Sequence, residues 1–106
     1  MSIKISEKAL KYLKKNDAIS VIIYAVKNET SAGWGCGGTK KYYTPSVRMG
    51  FDNRNLKGYS IYYYDKFKIF LSNNIKVDDD DIIIVDIVKI LFVQNLIIKG
   101  LDIKMI

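Results

Sequence analysis

Residues 59–71 read Tyr59-Ser60-Ile61-Tyr62-Tyr63-Tyr64-Asp65-Lys66-Phe67-Lys68-Ile69-Phe70-Leu71. Two runs of β-branched and aromatic residues flank a two-residue polar break, the pattern of an antiparallel hairpin turning at Asp65-Lys66. Such side chains pack well on a pleated surface and lose rotamer freedom in a helix. Upstream, Asp52-Asn53-Arg54-Asn55-Leu56-Lys57-Gly58 carries loop residues, and downstream Ser72-Asn73-Asn74 carries turn residues. The hairpin therefore predicts a body built mainly of sheet.

Working outward, residues 18–27 predict a strand with Ile19, Val21, Ile23 and Ala25 on one face and Ile22, Tyr24 and Val26 on the other, so both faces are expected to be covered at least in part. Lys40 to Phe51 predicts a second strand, with Pro45 demanding an edge, a bulge or a break because it has no N–H to give a ladder. Asp78 to Asp81 is expected to be a solvated acidic loop. Ile82 to Val93 predicts a strand, with a bend near Asp86 or Lys89 as an option; its apolar pattern also admits a helix, but its Ile and Val content favours the strand, and Gln94-Asn95 predicts a turn and Leu96 to Ile98 with Leu101 a last short strand. One helix is expected over residues 7–15: Ser6 caps it, Glu7 suits its first turn, Ala9, Leu10 and Leu13 form its apolar stripe, and Lys14 and Lys15 precede the stop at Asn16-Asp17. The expected fold is α+β and mainly β, a single domain over 1–106, with one short N-terminal helix and six or seven strands in two packed sheets or a partial barrel.

The 106 residues are enough to bury roughly two-thirds of the unfolded surface without staples. An apolar fraction of 49% with 26% charge fits a folded globular protein and argues against disorder. The first fifteen residues lack the apolar core of a signal peptide, and no apolar run is long enough to span a bilayer, so no membrane segment is expected. One cysteine cannot form an internal disulfide, which points to a reduced, cytoplasmic setting. The net charge of +6 comes from lysines spread over the chain rather than clustered, and reads as a solvated surface more than as a nucleic-acid footprint.

The one segment that looks built for chemistry is Gly33-Trp34-Gly35-Cys36-Gly37-Gly38. It holds the single cysteine and the single tryptophan of a chain with no histidine. Glycine lets a ligand or partner come close to the backbone. Cys36 is the candidate metal or sulfur contact, framed by Gly33, Trp34, Gly35, Gly37 and Gly38, with Lys40 and Lys41 close enough in sequence to favour its thiolate. A phosphate cradle is disfavoured, since the Walker spacing is absent and a strand follows. The tyrosines at 42, 43, 59 and 62–64, with Arg48 and Lys57, suggest either a base-stacking face or ordinary core packing, and core packing is the expectation. A Ca²⁺ site at Asp78–Asp81 is not expected, because adjacent carboxylates lack the spacing of a calcium loop. Without histidine or another visible base beside Ser6 or Ser46, no serine-nucleophile enzyme is expected.

The order of these segments resembles the HesB-like family, the A-type carriers of iron–sulfur cluster assembly and their selenoprotein-related branch. Ile5-Ser6-Glu7-Lys8-Ala9-Leu10 matches the family's opening of its short helix, Gly35-Cys36-Gly37-Gly38 its Gly-Cys-Ser-Gly-like loop, Tyr42-Tyr43 its aromatic strand, and Asp65 to Leu71 its strand after an acidic turn. The resemblance runs from about Ile3 to Leu101. It implies a HesB-like fold and a non-enzymatic auxiliary protein of iron–sulfur biogenesis, with assembly proteins as partners, a homodimer as an option, and an iron–sulfur cluster or iron bound transiently or at a subunit interface. The chain departs from the pattern in lacking the C-terminal Cys-x-Cys and the paired Cys-Cys or Cys-selenocysteine of the divergent branch. Only Cys36 maps onto a family functional position. The alternatives are a protein-interaction domain that has lost the cluster ligands and, less favoured, a basic nucleic-acid-binding module.

Overall fold

The computed structural model of the chain describes residues 2–31 and 39–101, and the side chains among them except those of 28–31 and 39–42. The elements run β1 (Ser2–Ile5), α1 (Glu7–Lys15), β2 (Ser20–Ser31), β3 (Thr39–Gly50), β4 (Tyr59–Tyr64), β5 (Phe67–Ser72), β6 (Ile82–Ile90) and β7 (Val93–Lys99). The described residues thus form one helix and seven strands, the mainly-β α+β architecture expected. The strands make a three-stranded sheet in the order β1-β6-β7 and a four-stranded sheet in the order β3-β2-β5-β4.

The 59–71 hairpin forms as expected. Its register runs from Tyr59↔Ser72 to Tyr64↔Phe67, and Asp65 takes a positive φ of 54° at the first turn position. The helix also forms over the expected residues. The Ser6 side chain accepts from the Ala9 N–H, filling one of the orphan donors of the first turn. At the other end the Asp17 N–H donates to Lys14 and the Ala18 N–H to Leu13, with Asp17 at φ 58°. This is the paired-bond Schellman stop, with aspartate in the place glycine usually fills.

Strands β2 and β3 pair through twelve registers, from Ser20↔Gly50 to Ser31↔Thr39. The ladder passes Ala25↔Pro45 unbroken, and β3 is the edge of its sheet, one of the outcomes Pro45 demanded. Ala9, Leu13, Val21, Ile23, Ile69, Ile83 and Val85 are fully buried in one core drawn from the helix and both sheets. The second face of β2 is covered in part, as expected: Ile22 and Phe70 are buried beside the 51–58 loop, whereas Val26 is partly exposed. The two sheets draw together at Pro45–Val47 of β3 and Leu96–Ile98 of β7, which line a common crevice.

Three expectations are corrected. Ser2–Ile5 was not expected to be a strand; it pairs parallel with β6, Ser2↔Ile82 to Ile5↔Val85. Its partner lies some eighty residues away, so no local turn announces it. Gln94-Asn95 is not a turn: Gln94 pairs with Lys89 and Asn95 with Val88 inside the β6–β7 ladder, which ends at Ile90↔Val93. Strand β6 accordingly stops at Ile90, and its ladder with β7 runs unbroken past Asp86 and Lys89. The turn is Leu91-Phe92, with Leu91 at φ 56°. Polar residues on the exposed side of an edge strand imitate a turn, and two apolar residues at a tip imitate a strand.

Candidate functional site

The segment 33–38, with Cys36, Gly33, Trp34, Gly35, Gly37 and Gly38, lies outside the described residues. The strands that carry it are described, and the pairing of Ser31 with Thr39 makes the segment the connection between two adjacent antiparallel strands. Strand β5 pairs only with Ser20–Ile23 of β2, so beyond Ile23 the two strands are bonded to each other as a ribbon. Lys40 and Lys41 lie in β3 and pair with Thr30 and Glu29; their side chains fall outside the description.

Among the described residues no group of three or more His, Cys, Asp and Glu gathers as a metal site. With one cysteine per chain, the donor set does not fit a cluster held by a single subunit, because such clusters are held by several thiolates.

One polar cluster escaped the sequence reading. Asp86 of β6 accepts from the Ser6 Oγ at 2.7 Å, the Ile87 N–H at 2.8 Å and the Lys99 Nζ at 3.0 Å. These bonds, led by the one from Ser6, hold its carboxyl down from 3.8 to about 2. Ser6 therefore works twice, capping α1 and tying the cap to β6 across the three-stranded sheet. The cluster is a clamp, since every group in it is engaged with another and none is left facing a substrate. The available signal was a carboxylate inside an apolar strand, which demands a partner.

Among the described side chains, which do not include that of Tyr42, no tyrosine face assembles. Tyr62 and Tyr64 pack against the core, Tyr59 sets its ring edge-on to Phe70 at 6.4 Å, and Tyr63 stands exposed on the other side of β4. Arg48 lies over the Tyr24 ring at 6.0 Å and Lys68 over Phe70 at 5.8 Å, so nearby cations are stacked on the protein's own rings. Asp78–Asp80 are exposed and Asp81 is half-buried, in a turn where the Asp78 N–H donates to the Asp81 carboxylate at 2.7 Å. No described helix is long and apolar enough to cross a membrane.

A family model described as "CC/Se motif containing family" matches residues 1–101. Among solved structures, the crystal structure of Escherichia coli SufA, described as involved in biosynthesis of iron–sulfur clusters, is similar with 14% identity and a TM-score of 0.47 over 93% of this chain and 80% of that one. No curated protein matches the sequence.

Proposed function

The chain belongs to the CC/Se motif containing family, and from that membership we propose that it is a non-enzymatic, cytoplasmic auxiliary protein of HesB-like fold related to iron–sulfur cluster biogenesis, offering Cys36 for transient contact with iron, a cluster or sulfur. What supports the reading is that the only cysteine falls in the sequence between β2 and β3, in a chain whose family is described by a CC/Se motif. A single thiolate suits passing contact, and two copies or an assembly partner supply what one chain lacks.

Anaerobic reconstitution with iron and sulfide tests it. The expected result is visible sulfur-to-iron charge-transfer absorbance that disappears in Cys36→Ser. A wild-type protein that stays colourless removes the metal and cluster reading.

A second reading is favoured by one observation: this chain has Gly35 before Cys36 and a single cysteine overall, so it cannot hold a Cys-Cys or Cys-selenocysteine pair. On that reading it is an interaction domain that kept the fold without the ligands. It predicts a colourless protein that still binds its partner after Cys36→Ser.

A further inference from the structure

Helix α1 and the β6–β7 hairpin enclose a groove of about 440 Å³ in which half-buried Tyr12 and Ile87 lie between the exposed lysines 8, 11, 15 and 89. None of these four lysines forms an ion pair among the described residues. Part of their arrangement works against the helix that carries three of them, although Glu7 and Lys11 stand at a favourable i,i+4 spacing and Lys15 suits the last turn. Lys8 and Lys11, and Lys11 and Lys15, stand at i,i+3 and i,i+4, where like charges repel. Lys8 also sits in the first turn, where the helix dipole disfavours a cation. Glu7 is the only acid in the helix.

The groove continues to the tip of the hairpin, along Gln94, Val93 and Phe92. There four consecutive apolar residues face solvent: Ile90 is 60% exposed, Leu91 86%, Phe92 94% and Val93 60%. Leu91 holds a positive φ of 56° at the first position of a two-residue loop, where glycine or a short polar residue is the low-strain choice. Repelling charges beside a strained, solvent-facing apolar turn do not serve the stability of the free chain.

We propose that this groove and tip form a docking surface for an acidic segment of a partner protein that also carries large apolar side chains. Carboxylates of the segment neutralise the lysine rim, and its apolar side chains cover Leu91, Phe92 and the strip between Tyr12 and Ile87. A protein segment is favoured over a bilayer or a nucleic acid on shape and chemistry. The lysines flank a half-buried apolar strip, Tyr12 and Ile87, which an extended peptide can cover while its carboxylates meet the lysines, and Leu91 and Phe92 offer a phosphate backbone no donor. Strand β7 is moreover an edge of its sheet, with exposed Val93–Asn95 beside the groove, so an extended chain can lie along it. The surface uses none of the groups of the Cys36 segment, and the proposal stands apart from the thiol's role.

The test uses the full chain and a short labelled peptide alternating glutamate with leucine, read by fluorescence anisotropy beside phosphatidylserine vesicles and a labelled single-stranded oligonucleotide. The wild type is expected to bind the peptide, more weakly as salt rises past about 0.1 M, where screening reaches roughly 10 Å. The double variant Lys8→Glu/Lys11→Gln, whose first change suits the helix dipole and whose second keeps a strong helix former, is expected to bind about tenfold more weakly. Leu91→Gly/Phe92→Asn installs a favourable turn; it is expected to unfold no earlier than the wild type and yet to lose about tenfold in affinity. Unchanged affinity in both variants, no binding of the peptide by the wild type, or tighter binding of vesicles or oligonucleotide than of the peptide each overturns the proposal.

Discussion

Asp86 shows how one side chain joins elements that are distant in the chain. Its Oδ1 takes the Ser6 hydroxyl and the Ile87 N–H while its Oδ2 takes Lys99, so the start of the helix, β6 and β7 meet on one carboxylate. The Lys99 side chain is 57% exposed, so that ion pair adds little; the two neutral donors carry most of the effect. Asp86→Ala is expected to cost about 1–3 kcal/mol at neutral pH, because it strips the Ser6 hydroxyl and the Ile87 N–H of their acceptor. The pH dependence has a definite sign. A carboxyl whose folded pKa is depressed binds its proton more weakly in the native state, so its contribution is full above the unfolded value of 3.8 and fades as pH falls toward about 2. Denaturant unfolding of wild type and variant at stepped pH should therefore show a gap that is constant above pH 4 and narrows below it. A gap that persists at low pH would mean that packing, not the ionised carboxylate, sets the cost.

At the scale of elements, what was legible in the sequence was what is local. The 59–71 hairpin, the 7–15 helix with its Ser6 cap and the 72–74 turn each carry their instructions within a few residues. What was illegible depended on distant partners, since β1 has no turn to announce it and the Ser6–Asp86 bond spans the chain, or on misleading composition, as at the apolar Leu91-Phe92 turn. The candidate thiol segment was legible as chemistry, because glycine crowding around one cysteine is a compositional signal, yet nothing local states what the thiol meets. The turns separate local strain from tertiary contact in a measurable way. Gly58 at φ 82° has open space around a Cβ, whereas Gly100 at φ 81° would drive a Cβ into the backbone carbonyl of Ile82. Gly58→Ala is therefore expected to cost about 1–2 kcal/mol of left-handed strain. Gly100→Ala is expected to cost clearly more, since a backbone oxygen in a strand cannot step aside. Thermal unfolding of the two variants compares them directly, and equal losses would show that the end of β7 yields to the added methyl.

At the scale of the whole molecule, the two sheets share one core, and the smaller sheet gains its third strand only when the chain's first strand returns to β6. Ile5 is the hinge of that closure: it ends β1, lies 2% exposed in the core, and precedes the residue that caps the helix. A buried isoleucine cut to alanine leaves a cavity as well as losing transfer energy, so Ile5→Ala is expected to cost about 2–5 kcal/mol. That is a large share of the roughly 5–15 kcal/mol that holds a typical domain together. Ile82 makes the matching control, because it lies in the partner strand, opposite Ser2, with more than half its surface in water. Ile82→Ala is expected to cost under about 1 kcal/mol, since little apolar area leaves the core. Chemical denaturation should then show a large fall in midpoint for Ile5→Ala and a small one for Ile82→Ala, with equal slopes if the fold opens as one unit. Similar losses for the two variants would mean that β1 is a peripheral ribbon, and that the four-stranded sheet and helix hold the core without it.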